Sequence, residues 1–102
     1  MNNKDYKSIE KSYFSLKGTV HVVGDLVHIK REGIPDLYKR VLTVETPDGQ
    51  VLFPELRNGK LKLIEAELIK QGSLVEIQFL FQGSEKSGKR YNNIYIYSIK
   101  KI

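Results

Sequence analysis

The chain contains no cysteine. That absence excludes disulfides, thiolate metal sites and cysteine nucleophiles, and it suits a reducing cytoplasm. Nowhere do about 18 apolar residues follow one another, so no segment is expected to span a membrane. The opening MNNKDYKSIEKSYF has no apolar run of the secretory kind. Histidine is scarce: His21 and His28 are the only two. Seven residues apart, they lack the company of carboxylates that a metal site needs, and they read as surface side chains. The acidic residues Asp25, Asp36, Glu45, Asp48, Glu55, Glu65, Glu67 and Glu76 are scattered, and Glu65 and Glu67, two apart on a helix, would not face each other. GSEKSGKR (83–90) has the GxxxxGK spacing of a phosphate-binding loop. Arg90, however, stands where that loop needs Ser or Thr, and a strand rather than a helix follows. Neither catalysis, a cofactor, a metal nor a small-molecule substrate is expected.

What is present is cationic and β-rich. The 102 residues suit one small domain, and 40% hydrophobic content is enough for a folded core. Seventeen Lys and Arg against twelve Asp and Glu give a net charge of +5. The isoelectric point near 9.4 favours polyanionic partners.

Residues 1–12 are polar and mixed in charge, and a flexible N-terminal arm is expected there. In YFSLKGTVHVV (13–23), Leu16, Gly18, Val20 and Val22 share one parity and Lys17, Thr19 and His21 the other. The pattern predicts a half-buried strand, with a bend or bulge at Gly18. GDLVHIKREGIPD (24–36) reads as a long connection in which LVHI could add a short strand. LYKRVLTVET (37–46) is a strand with Leu42 and Val44 inward and Lys39, Val41 and Thr43 outward. TPDG turns the chain into QVLF (50–53), and Pro54 ends that strand or marks an edge.

NGKLKLIEAELIKQG (58–72) carries the single helical pattern, with Leu61, Ile64 and Leu68 on one face, Asn58 as N-cap and Gly72 as stop. SLVEIQFLFQ (73–82) alternates again, placing Val75, Ile77, Phe79 and Phe81 in the core. GSEKSGKR is expected as a second long connection, leading to a last strand from Arg90 to about Lys100. There the isoleucines of KRYNNIYIYSI face in and the tyrosines out.

This order, three strands, a helix and two strands, is that of an all-β, five-stranded Greek-key barrel with its helix between strands three and four: the OB-fold, spanning residues 13–102. An SH3-like barrel has no helix of this size at that place. LKGTV, KRVLTVET, GSLVEIQFLF and GKRYNNIYIYSIKKI, in that order, resemble a small bacterial and phage family of OB-fold proteins related to single-stranded-DNA-binding proteins. The resemblance covers roughly residues 14–102. It implies nucleic-acid binding in replication, recombination or repair. Bacterial single-stranded-DNA-binding proteins typically carry an acidic tail that recruits partners; SIKKI is basic, and such recruitment is not expected.

A single strand of nucleic acid offers π-faces and phosphates, met by aromatic platforms and a basic groove. Candidates for phosphate are Lys30 and Arg31 in the first connection, Lys39 and Arg40 on the second strand, and Lys86, Lys89 and Arg90 on the last hairpin. Lys17 and His21 face outward on the first strand. Tyr38, Tyr91, Tyr95 and Tyr97 are candidates for stacking, with Tyr91 nearest the hairpin. Tyr95 and Tyr97 could equally cover the barrel or contact another subunit. Val41 and Leu80, apolar and of outward parity, point to a homo-oligomer or to a protein-interaction module as the alternative function. DNA is favoured, RNA is possible, and a cytoplasmic location is expected.

Overall fold

The computed structural model describes residues 13–102; the arm expected over residues 1–12 lies outside the described residues. Seven strands are numbered here in chain order: β1 (Phe14–Val23), β2 (Val27–Ile29), β3 (Leu37–Glu45), β4 (Val51–Leu52), β5 (Glu55–Arg57), β6 (Leu74–Lys86) and β7 (Lys89–Lys101). A 3-10 turn (Asn58–Lys62) runs into a single α-turn, α1 (Leu63–Ala66), between β5 and β6.

The barrel closes in the order β1-β3-β5-β7-β6 and back to β1. All these pairings are antiparallel except β5 with β7, where Glu55 sits opposite Tyr95. With β4 and β5 together as its third strand, this is the expected OB-fold barrel. Val20, Leu42, Val44, Leu56, Ile69, Val75, Ile77, Phe79, Ile96 and Ile99 fill it.

Closure depends on β1 having two partners. Its first half, Phe14–Thr19, pairs with β6, and Thr19–Val23 pairs with β3. Where it passes between them, Val20 N–H donates to Ser73 O and Gly72 N–H donates to Val20 O. Gly18 is required at this crossing, because a Cβ there would lie 2.6 Å from both Glu45 O and Val44 Cγ1. The bulge itself falls at His21, between Val20 and Val22. It inverts the alternation, so Val22 is exposed, against expectation, and Val23 packs on the core instead.

Three other expectations are corrected. The helix is far shorter than 58–72. Leu68 adopts φ 54°, with its N–H bonded to Glu65 O and the Ile69 N–H bonded to Ile64 O. That is a Schellman stop with leucine where glycine is usual; it swings Ile69 into the core and leaves Leu68 outside at 68% exposure. Gly72 serves the entry to β6 instead. Asn58 does not cap the helix: it too has positive φ, and its side-chain oxygen accepts from Tyr38 N–H at 3.0 Å. The third strand is longer than QVLF. It breaks at Phe53-Pro54, where Leu42 N–H still reaches Pro54 O, and resumes as β5.

The second long connection is in fact a ribbon. β6 and β7 pair out to Lys86 opposite Lys89, and only Ser87 and Gly88, both at positive φ, make the turn. Positive φ at both central residues marks the tight hairpin turn that matches strand twist. Phe81 shares the parity of Phe79 but lies beyond the barrel rim, so it is exposed rather than core. A second bulge, opposite Gln78–Phe79, makes Tyr97 the extra residue and turns both Ile96 and Ile99 inward.

Two stability outcomes follow from this backbone. Gly18→Ala forces Cβ against a backbone carbonyl that the β1–β3 pairing holds in place, and should cost about 1–3 kcal/mol. Thermal unfolding should register that as a lower Tm. Leu68→Gly removes left-handed strain at an exposed site and should stabilise by about 0.5–1 kcal/mol, raising Tm by a few degrees in the same measurement.

Candidate nucleic-acid interface

One outer face of the barrel runs across β3, β5 and β7, and the pairing registers order its side chains. At one end Lys39 lies opposite Arg57, followed by Val41 opposite Glu55, with Glu55 beside Tyr95. At the other end Val51 and Phe53 meet Asn92, Asn93 and Ile94 across a shallow hollow that Val41 and Glu55 also line. The connection between β1 and β3 thus flanks one end of the face, and the β6–β7 ribbon flanks the other.

Glu55 organises the middle. It is only 8% exposed, and its Oε1 accepts from Arg57 Nε at 2.9 Å and lies 3.4 Å from Lys39 Nζ. A carboxylate removed from water is tolerable only when paired in this way. Arg57 in turn lies over the Tyr95 ring, 3.9 Å from its centroid, and Lys60 lies 4.5 Å from that of Tyr97. Tyr13 packs against Tyr97 with centroids 4.3 Å apart. Tyr13, Glu55, Arg57, Lys60, Leu80, Tyr95 and Tyr97 together line a second hollow on this face. Cations and rings therefore alternate along it, as cation–π attraction favours.

On the other side of the β2–β3 pair His28 and Tyr38 stack with their planes 6° apart and centroids at 4.3 Å. His28 Nε2 lies 2.8 Å from Asp36 Oδ2, and that hydrogen bond holds the Asp36 carboxyl below its ordinary value. The two rings make one flat, partly exposed platform.

The structure divides the candidates expected from sequence. Lys39, Tyr95 and Tyr97 share the face, whereas Tyr38, next to Lys39 on β3, has the opposite parity and points with His28 to the other side of the sheet. Lys86, Lys89 and Arg90 stand exposed on the ribbon, with Arg90 Nε 3.5 Å from Glu85 Oε2. Tyr91 is exposed and opposite Ser84. Strand alternation puts it on the same side of the ribbon as Lys86, Lys89 and Tyr95. Lys30 is exposed in the connection.

Arg31 and Arg40 brace the fold instead. Arg31 donates twice to Pro35 O, at 3.0 and 2.7 Å, and Arg40 Nη1 donates to Gly24 O at 3.0 Å. Lys17 and His21 lie elsewhere, around a hollow on β1 with Glu45, Leu74 and Ile102, where His21 Nε2 is 2.9 Å from Glu45 Oε1.

Phe53, Glu55, Arg57 and Lys60 were not expected in the site. Phe53 is the most exposed aromatic side chain among the described residues, at 58%, and its parity with Val51 was the available signal. The other three depend on β5, which the pattern did not reveal. Among the described residues no three His, Asp or Glu side chains gather as a metal-ligand set, and no helix is long and apolar enough to cross a membrane.

Solved structures share this architecture. The second OB-fold domain of replication protein A from Methanococcus maripaludis matches with a TM-score of 0.65 at 15% identity, over 89% of this chain and 84% of that one. A mitochondrial single-stranded-DNA-binding protein from S. cerevisiae matches with a TM-score of 0.61 at 11% identity, over 89% and 95%. The dimeric N-terminal domain of PriB from Thermoanaerobacter tencongensis matches with a TM-score of 0.55 at 15% identity, over 88% and 94%. The barrel is an OB-fold, and its structural neighbours include single-stranded-DNA-binding proteins, as the sequence resemblance implied. No protein-family model matches the chain, and no curated protein matches it.

Proposed function

We propose that the chain is a non-catalytic, sequence-tolerant single-stranded-nucleic-acid-binding protein, with DNA as its target, acting in replication, recombination or repair. The observation that carries this reading is the single outer face on which Phe53, Tyr95 and Tyr97 alternate with cations. It is flanked by the connection that carries Lys30 and by a cationic ribbon. The neighbours with this fold, one a domain of replication protein A and another a mitochondrial single-stranded-DNA-binding protein, support it. Bases stack on the rings, and Lys30, Lys86, Lys89 and Arg90 neutralise phosphates.

Fluorescence anisotropy with oligo(dT) tests the reading. Binding should weaken linearly on a log–log salt plot, and Lys89→Ala should lower the slope by about one. Phe53→Ala should cost about 1–3 kcal/mol of affinity with no change in fold. Absence of salt-sensitive binding at micromolar protein would remove the proposal.

A second reading, an assembly subunit, is favoured by a different surface. Val41 and Leu80 are half-buried rather than exposed, so the sequence pointer to an interface fails at those positions. Phe14 and Phe81 take their place: both are more than half exposed, and they cluster with Phe79 at centroid distances of 5.2–5.8 Å. Phe81 opposes Ile94 on the ribbon side facing away from Tyr95. Sedimentation should show concentration-dependent self-association that Phe81→Ser abolishes while oligo(dT) binding persists. A monomer at all concentrations would exclude this reading.

A further inference from the structure

A nearly buried carboxylate at the centre of a face built for a polyanion needs a reason. Ordering two cations explains half of Glu55. Both Lys39 and Arg57 engage the same oxygen, Oε1. Among the described residues Oε2 takes no hydrogen bond. Glu55 lines both hollows of the face, one beside Phe53, Asn92 and Asn93 and the other beside Tyr95 and Leu80. It is a fixed acceptor, held by its cations, at the wall of these two hollows.

Resting on the single-stranded-DNA reading above, we infer that Glu55 is a specificity-determining residue that reads the edge of a base and favours cytosine over thymine. The chemistry is that of the base edge at C4 and N3. Cytosine carries an amino group at C4, which donates to a carboxylate, whereas thymine carries a carbonyl oxygen there, which a carboxylate repels, and keeps its single donor one position inward, at N3. Both pyrimidines present similar π-faces to Phe53 and Tyr95, so stacking does not separate them. An acceptor already desolvated and aimed by two cations loses little entropy on meeting its donor. A thymine oxygen against it leaves two acceptors face to face, an unmade bond in a partly dry site. The ribbon cations are indifferent to base identity, so general affinity and base preference reside in different residues.

The experiment compares anisotropy titrations of dC, 5-methyl-dC and dT oligomers of about 12 nucleotides, at matched salt and mildly alkaline pH, where cytosine is unprotonated. The 5-methyl oligomer shares thymine's methyl group, so it isolates the difference at C4 and N3. The wild-type protein should bind both cytosine oligomers about ten-fold more tightly than dT, as one charge-assisted hydrogen bond provides. Glu55→Gln should bring the ratio to about one or invert it. Equal wild-type binding of dC and dT overturns the inference and leaves the general reading intact. So does a Glu55→Gln variant that weakens both oligomers alike and keeps their ratio. If that variant does not fold, the wild-type ratio decides alone. Failure of every oligomer to bind removes the proposed function and this inference together.

Discussion

The close approach of Gly18 to the end of β3 is the contact on which the rest of the barrel depends. With hydrogen there in place of a side chain, β1 can leave β6 and join β3 without opening a gap between them. A five-stranded sheet that did not close would expose two edges rich in Val, Ile and Tyr, which invite pairing with other chains. Closure also fixes the strand neighbours of β3. Once β1 occupies one side of its C-terminal half, β5 must take the other side of its N-terminal half. This places Arg57 opposite Lys39 and brings β5 beside β7. The outer face is a consequence of the inner contact.

On that face like charges would repel if left to themselves. Lys39 and Arg57 are direct cross-strand neighbours, an arrangement that costs stability unless an anion lies between them. Glu55 supplies the anion, and its burial strengthens the pairing by excluding water. The Tyr95 ring then accepts the outer surface of Arg57. Cation, carboxylate and ring are thus one unit, assembled by folding and already ordered before any ligand arrives. The ribbon cations are the opposite case: exposed and far from the core, they retain the mobility that suits long-range attraction to phosphate.

Much of the fold was legible because alternation is a direct record of which face is buried. Leu42, Val44, Val75, Ile77 and Ile96 obeyed it, and the strand order followed from where the turns and the helix fell. What stayed hidden has physical causes. A bulge adds one residue and inverts every parity beyond it, which misplaced Val22; a second bulge, at Tyr97, is what turns Ile99 inward with Ile96 as expected. Periodicity also cannot tell a core position from one past the rim, so Phe81 shared the pattern of Phe79 without its burial. The helical pattern overshot because Leu68 stops the helix in a conformation leucine rarely adopts. In the site, Lys39 was visible at an outward position and the ribbon cations as types on the last hairpin. Glu55, Arg57 and Phe53 were not, since ELR is too short to alternate and Phe53 adjoins a proline.

Two kinds of cation on one surface also impose an order of events. A phosphate that sought Arg57 would have to compete with Glu55, whose oxygen is at hydrogen-bond distance and partly desolvated. Such an exchange returns one charge-assisted bond for another and strands a carboxylate beside the incoming anion. Phosphates therefore gain more at Lys86, Lys89 and Arg90, where no buried partner must be displaced. On the proposed reading the backbone is drawn to the ribbon, and the bases are left to face Phe53, Tyr95 and the Glu55 wall. The pinned ion pairs would then act by being unavailable, keeping the sugar-phosphate chain off the centre of the face and reserving it for the rings and edges of the bases.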